Sequence, residues 1–135
     1  MPKIGGAAMQ NLSGTMWRVV EATGADEEGR EVPSPIGQNP LGFVVFEADR
    51  MVVAVTDARP AAVVGPSRML LSYTGPYHFD GAELVTRADA TSRPDMATEQ
   101  VREIHLETDT RMVVTPKAGL PGRSAGVTFV WERIR

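Results

Sequence analysis

Two histidines, His78 and His105, are the only imidazoles in a chain of 135 residues that contains no cysteine. An imidazole titrates near neutral pH and readily binds metals, so each position is a candidate base or ligand. His105 lies two residues from both Glu103 and Glu107, and in an extended chain those three side chains share one face. No third nitrogen or sulfur donor is at hand to close an ordinary site, and a solvated charge cluster explains the triplet more simply. Residues 122–126 read Gly-Arg-Ser-Ala-Gly and match the G-x-S-x-G of a nucleophile elbow. That elbow needs a helix after the serine and an acid and a histidine further on, whereas a strand pattern follows and the last nine residues hold neither His nor Asp. A Gly-Ser loop is the better reading. No catalytic group, metal or cofactor is therefore expected.

A different set has the makeup of a small-molecule site. Tyr73, Tyr77, Thr86, Gln100 and Arg102 would supply a few polar handles inside an apolar hollow if all five pointed the same way. The competing reading makes the tyrosine rings plain core and leaves Arg102 at a rim with its charge in water, because a buried guanidinium without a carboxylate is costly. Glu132 and Asp89 are the carboxylates within reach on paper. Met51, Met69 and Met112 also fall on strands, where thioethers fill irregular gaps or line an adaptable pocket.

The elements that must position these residues are strands. Apolar residues recur with period two, and turn residues interrupt them every 8 to 12 positions or so, the pattern of an all-β protein. Strands are expected over residues 15–22, 42–48, 51–57, 69–79, 82–90, 98–107, 111–116 and 126–134. Loops fall at 24–29, 33–40, 58–67, 91–97 and 117–125, and the one helical turn worth considering is at 94–100. Eight strands fit an antiparallel up-and-down β-barrel.

Pairing follows from the turns. Asp80-Gly81 has the chemistry of a two-residue type I′ turn, which sets Tyr77 opposite Leu84, Gly75 opposite Thr86 and His78 opposite Glu83. Asp49-Arg50 sets Phe46 against Val53 and Val44 against Val55, all four inward. Around residues 108–110, Leu106 faces Met112, Ile104 faces Val114 and Glu107 meets Arg111 outside; two more pairs carry Arg102 and Gln100 to the inner face. Gly75-Pro76 interrupts a long strand where glycine allows a bend and proline removes a donor, so the strand curves there to close the barrel.

With 42% hydrophobic and 23% charged residues and a formal net charge of -3, the composition is that of an ordinary soluble domain. The acidic balance argues against a nucleic-acid partner, which calls for a concentrated basic surface. The apolar stretch at residues 4–9 is too short and glycine-rich for a secretion signal, and no window reaches the ~18 apolar residues of a membrane helix. A cytoplasmic protein with no membrane partner is expected. Residues 1–11 read as a flexible N-terminal segment, and 12–135 as a single barrel domain.

Leu12-Ser13-Gly14-Thr15 with Trp17-Arg18, Pro40-Leu41-Gly42, Tyr73-Thr74-Gly75-Pro76-Tyr77 and Trp131-Glu132-Arg133 resemble the bacterial lipocalin-like domain proteins, small up-and-down β-barrels. In the wider lipocalin pattern an arginine of the last strand covers the tryptophan of an N-terminal Gly-x-Trp. The resemblance assigns those parts to Trp17 and Arg133. Because two residues rather than one separate Gly14 from Trp17, Trp131 is the alternative tryptophan.

Three functions compete. One is a calyx binding a small apolar or aromatic molecule, with one anionic group met by Arg102; an interior packed solid by side chains counts against it. Another is an enzyme of the cyclase or isomerase kind that folds a hydrophobic substrate against Tyr73, Tyr77 or Arg102, although no matched acid-base pair is visible. The remaining one is a dimeric interaction module using the outward Val45, Val52 and Ala54.

Overall fold

Period-two alternation buries every second side chain, and the chain satisfies its backbone polar groups by rolling the sheet shut. The computed structural model describes residues 11–26, 28, 30–34, 36–59, 70–92, 99–116 and 126–135. Ten strands occur among them: β1 (Met16–Ala25), β2 (Glu31–Val32), β3 (Pro40–Phe46), β4 (Arg50–Asp57), β5 (Leu70–Phe79), β6 (Glu83–Arg87), β7 (Ala90–Thr91), β8 (Glu99–Thr108), β9 (Arg111–Pro116) and β10 (Gly126–Arg133). Eight of these, β1-β3-β4-β5-β6-β8-β9-β10, follow one another around an antiparallel ring that β10 closes on β1. The short β2 extends from β1, and β7 pairs with β5. No helix is present among the described residues. Residues 1–10, 60–69, 93–98 and 117–125 lie outside the described set. They include the expected flexible segment apart from Asn11, Met69, most of the helical turn and most of the Gly-Ser loop; Glu99 and Gln100 are already strand.

Two hairpins keep the expected faces but slip by two residues. Phe79 pairs with Leu84 and Tyr77 with Thr86, and His78 faces Val85 rather than Glu83. The cause is Asp80. Its carboxylate accepts the amides of Ala82 at 2.9 Å and Glu83 at 2.7 Å, and its own amide bonds the Glu83 carbonyl at 3.3 Å. That makes Asp80 the first residue of the turn and puts Gly81, at φ +101°, first of the two central positions, as in a type II′ turn. Likewise Glu47 bonds Arg50, so Ala48-Asp49 is the turn, Phe46 meets Met51 and Val44 meets Val53. Arg50 is drawn into the strand by Asp89, which it grips through both carboxylate oxygens at 3.0 and 2.7 Å. A slip of two leaves each side chain on its original face, which is why the inward set survives. The β8–β9 hairpin has the expected register, with Leu106 opposite Met112, Ile104 opposite Val114, and Arg111 bonded to Glu107 at 2.9 Å.

The backbone amides at Asp80 stabilise its ionised form and hold its carboxyl below the usual carboxylate value. A folded-state value below the unfolded one gives stability that is present above about pH 4 and lost as pH falls through the folded value. Asp80→Asn keeps an acceptor oxygen and loses the charge. The wild type is therefore expected to outlast Asp80→Asn in urea at pH 6, with the gap closing below pH 4; a gap of equal size at both pH values refutes the account.

The end that carries these turns is sealed by the segment preceding β1. Leu12 and Trp17 are fully buried, and Gly14 donates its amide to the Phe46 carbonyl at 2.8 Å. At the opposite end the β2–β3 loop returns Ile36 into the core, with 1% exposure. Gly37 sits there at φ +93°, where a β-carbon would run into the Asp57 carboxylate. Asp57 is itself buried and is held by Arg59, whose Nη2 lies 2.5 Å from Oδ2.

Candidate functional site: the barrel interior

Seven of the eight ring strands contribute side chains to one cavity on the inner face, among them Met51, Tyr73, Arg102, Met112, Phe129 and Trp131. Among the described residues Arg102 is the only charged one in its lining. The open volume is about 40 Å³, enough for a water molecule or two and far below the ~300–1,000 Å³ of ordinary ligand pockets. The interior is thus nearly filled by its own side chains.

The sequence-derived set divides. Tyr73, 7% exposed, and Arg102 line the cavity. Thr86 and Gln100 are fully buried and face each other across β6 and β8, two pairs along from Leu84 and Arg102, without reaching the cavity wall. Tyr77 packs against the core near the sealed end. Its ring meets Phe46 edge-on with centroids 5.3 Å apart, and its hydroxyl donates to the Glu47 carbonyl at 2.6 Å. Burial, then the nearby carboxylates of Asp49 and Glu47, push that phenol above its usual value, which makes it a poorer proton donor at neutral pH.

Arg102 donates through Nη2 to the Gln100 side-chain oxygen and through Nη1 to the Val101 carbonyl, both at 3.2 Å. Neither expected carboxylate reaches it. Asp89 is taken by Arg50, and Glu132 by Arg18 at 2.7 Å with Arg111 at 3.8 Å. Its side chain is half-buried on an apolar wall, where Gln100 fixes the direction of the guanidinium.

Trp17 and Trp131 have separate tasks. Trp17 is the buried plug of the sealed end. Arg133 is its register partner across β1 and β10, yet Arg133 is exposed, and among the described residues the indole's polar contact is with Thr15, which accepts Nε1–H at 2.8 Å. Leu12 is buried in the same core cluster as Trp17, and Thr15 supplies the indole's hydrogen-bond acceptor. Trp131 is wall, packed on Phe129 with centroids 5.7 Å apart.

His78 and His105 are exposed on the outer face together with Glu103 and Glu107. Among the described residues no group of three His, Cys, Asp or Glu side chains is placed to hold a metal ion. Gly126 opens strand β10, so a strand and not a helix follows the G-x-S-x-G match. No helix among the described residues is long and apolar enough to cross a membrane. Sequence reasoning missed Phe129 as lining and Ile36 as core. Alternation from Trp131 back along β10 carries the first signal, and a lone isoleucine in a Pro-Gly loop carries only a faint form of the second.

An up-and-down antiparallel barrel closed at one end over an apolar interior defines a calyx-type protein. The family model of the lipocalin-like domain matches residues 14–134, and the chain belongs to that family. Comparison with curated proteins finds no match, and comparison with solved structures finds none.

Proposed function

We propose that the barrel binds a small apolar or aromatic molecule in its interior. The observation that carries this reading is the placement of the cavity: it lies on the inner face of the ring, walled by seven strands and mostly apolar. Its present volume requires a guest to displace side chains. Met51 and Met112 are suited to that, because an unbranched thioether changes shape at little cost. Membership of a lipocalin-like family is consistent with such a role, but fold alone names no ligand.

The outer face favours association less. Leu41 and Leu70, each 51% exposed, Val52 at 44% and Phe43 at 39% form an apolar patch across β3, β4 and β5. Four partly exposed side chains amount to roughly 300–400 Å², the size of patch that monomers ordinarily carry. A stable dimer covers ~800 Å² on each partner. Val52 and Ala54 do point outward, while Val45 is half-buried.

The test uses 1-naphthol, a neutral aromatic probe. Saturable quenching of tryptophan fluorescence, a one-to-one adduct in native mass spectrometry and a rise in Tm with probe concentration are expected. Substituting Trp131→Phe should remove the quenching, whereas Trp17→Phe should leave it. Failure of 1-naphthol and of comparably small aliphatic alcohols to bind saturably overturns the proposal.

A further inference from the structure

The arginines of the described residues fall into two groups, and Arg102 belongs to neither. Arg18, Arg30, Arg50, Arg59 and Arg111 each hold a carboxylate at 2.5–2.9 Å. Arg87, Arg133 and Arg135 are exposed, so water solvates them. Arg102 is half-buried beside an apolar cavity, and among the described residues its guanidinium contacts only two neutral oxygens, each at the long distance of 3.2 Å. A guanidinium partly withdrawn from water beside an apolar wall has no counter-charge among the described residues to offset the lost hydration. Such a placement makes sense when the counter-charge arrives from outside.

We infer that the guest of the barrel is a monoanionic carboxylate, with its carboxyl group on Arg102 and its apolar body among Met51, Met112 and Trp131. This rests on the reading of the interior as a binding site. A guanidinium has five N–H donors in a planar fork, and Gln100 and Val101 engage two of its nitrogens. The remaining donors match a planar carboxylate in paired geometry. The charge count selects the ligand class. One guanidinium neutralises one negative charge, whereas a phosphate monoester near its doubly ionised form would leave an uncompensated charge against aliphatic walls. A neutral alcohol would leave the cation as it stands. Gln100, fully buried and donating no charge, acts as a positioning residue: its oxygen holds the guanidinium turned along the wall.

The experiment compares 1-naphthoate with 1-naphthol, which share a ring system and differ in charge at pH 7. The intact chain is expected to bind 1-naphthoate about tenfold tighter or more, the range of a charge-assisted pair after desolvation. Arg102→Met, which keeps the length and removes the charge, is expected to bind 1-naphthol at least as well as the wild type and to lose the preference for 1-naphthoate. Its Tm without ligand should equal or exceed that of the wild type, which separates a lost anion site from a lost fold. Equal affinity of the wild type for both probes, or a preference that persists in Arg102→Met, overturns the carboxylate inference while the interior remains a binding site. Binding of neither probe removes both.

Discussion

Gly75→Ala is expected to destabilise the barrel by ~2–4 kcal/mol, the range for a core contact that backbone must move to relieve. Gly75 lies where β5 changes partners. Met51 of β4 is opposite it on one side, while on the other side β6 pairs only as far back as Tyr77 and β7 resumes at Thr74. In the interval the chain of Arg87 and Ala88 crosses so close that a β-carbon on Gly75 would overlap the Arg87 carbonyl oxygen and crowd the Ala88 Cα. Neither atom is the end of a flexible side chain, so relief requires the strands to part. Gly81→Ala is the control. A β-carbon there meets nothing within 4 Å and the sole penalty is the positive φ of +101°, about 1–2 kcal/mol for a residue with a side chain. Urea midpoints of the two variants should differ, with Gly75→Ala the weaker; a Gly75→Ala midpoint at or above that of Gly81→Ala refutes the close-approach account.

That change of partners shows what the sequence made legible. Glycine and proline in the middle of a ten-residue strand announce a departure from regular pairing, and the structure supplies it at that position. The inward faces of β3, β4 and β9 were equally readable, because a burial pattern of period two admits only two choices. Register was less accessible. Asp80 can occupy the first or the second position of a turn, and its choice depends on whether its carboxylate finds the amides of Ala82 and Glu83, a three-dimensional fact. The site divided along the same line. Tyr73 and Arg102 reach the cavity by alternation alone, but Tyr77 is on the same face of β5 and still misses it, because past Gly75 the strand leads to the sealed end. No pattern in the chain reports how far down the axis an inward residue lies. Ile36 was invisible for a related reason: one apolar residue in a loop has no period, and only the fold-back of that loop onto Asp57 and the core gives it a place.

Trp17→Ala is expected to cost ~3–5 kcal/mol, the range for deleting a large buried aromatic that its surroundings cannot replace. The indole is fully buried at the sealed end, in one core cluster with Leu12 and hydrogen-bonded to Thr15. Removing it leaves a void beside Leu12 and takes away the donor to the Thr15 hydroxyl, which still donates to the Leu12 carbonyl at 2.6 Å. Thr15→Val separates the two contributions. It preserves the shape of the plug and leaves the indole N–H without its acceptor, so it should cost ~1–3 kcal/mol and change the emission of Trp17 with the rest of the barrel intact. Since neither Thr15 nor Trp17 lines the cavity, and Thr15→Val keeps the backbone bonds to Phe46, it should leave affinity for an interior probe unchanged. If Thr15→Val weakened 1-naphthol binding as strongly as a substitution at Trp131, the sealed end and the cavity would have to be one mechanical unit, and the separate assignment of the two tryptophans would fail.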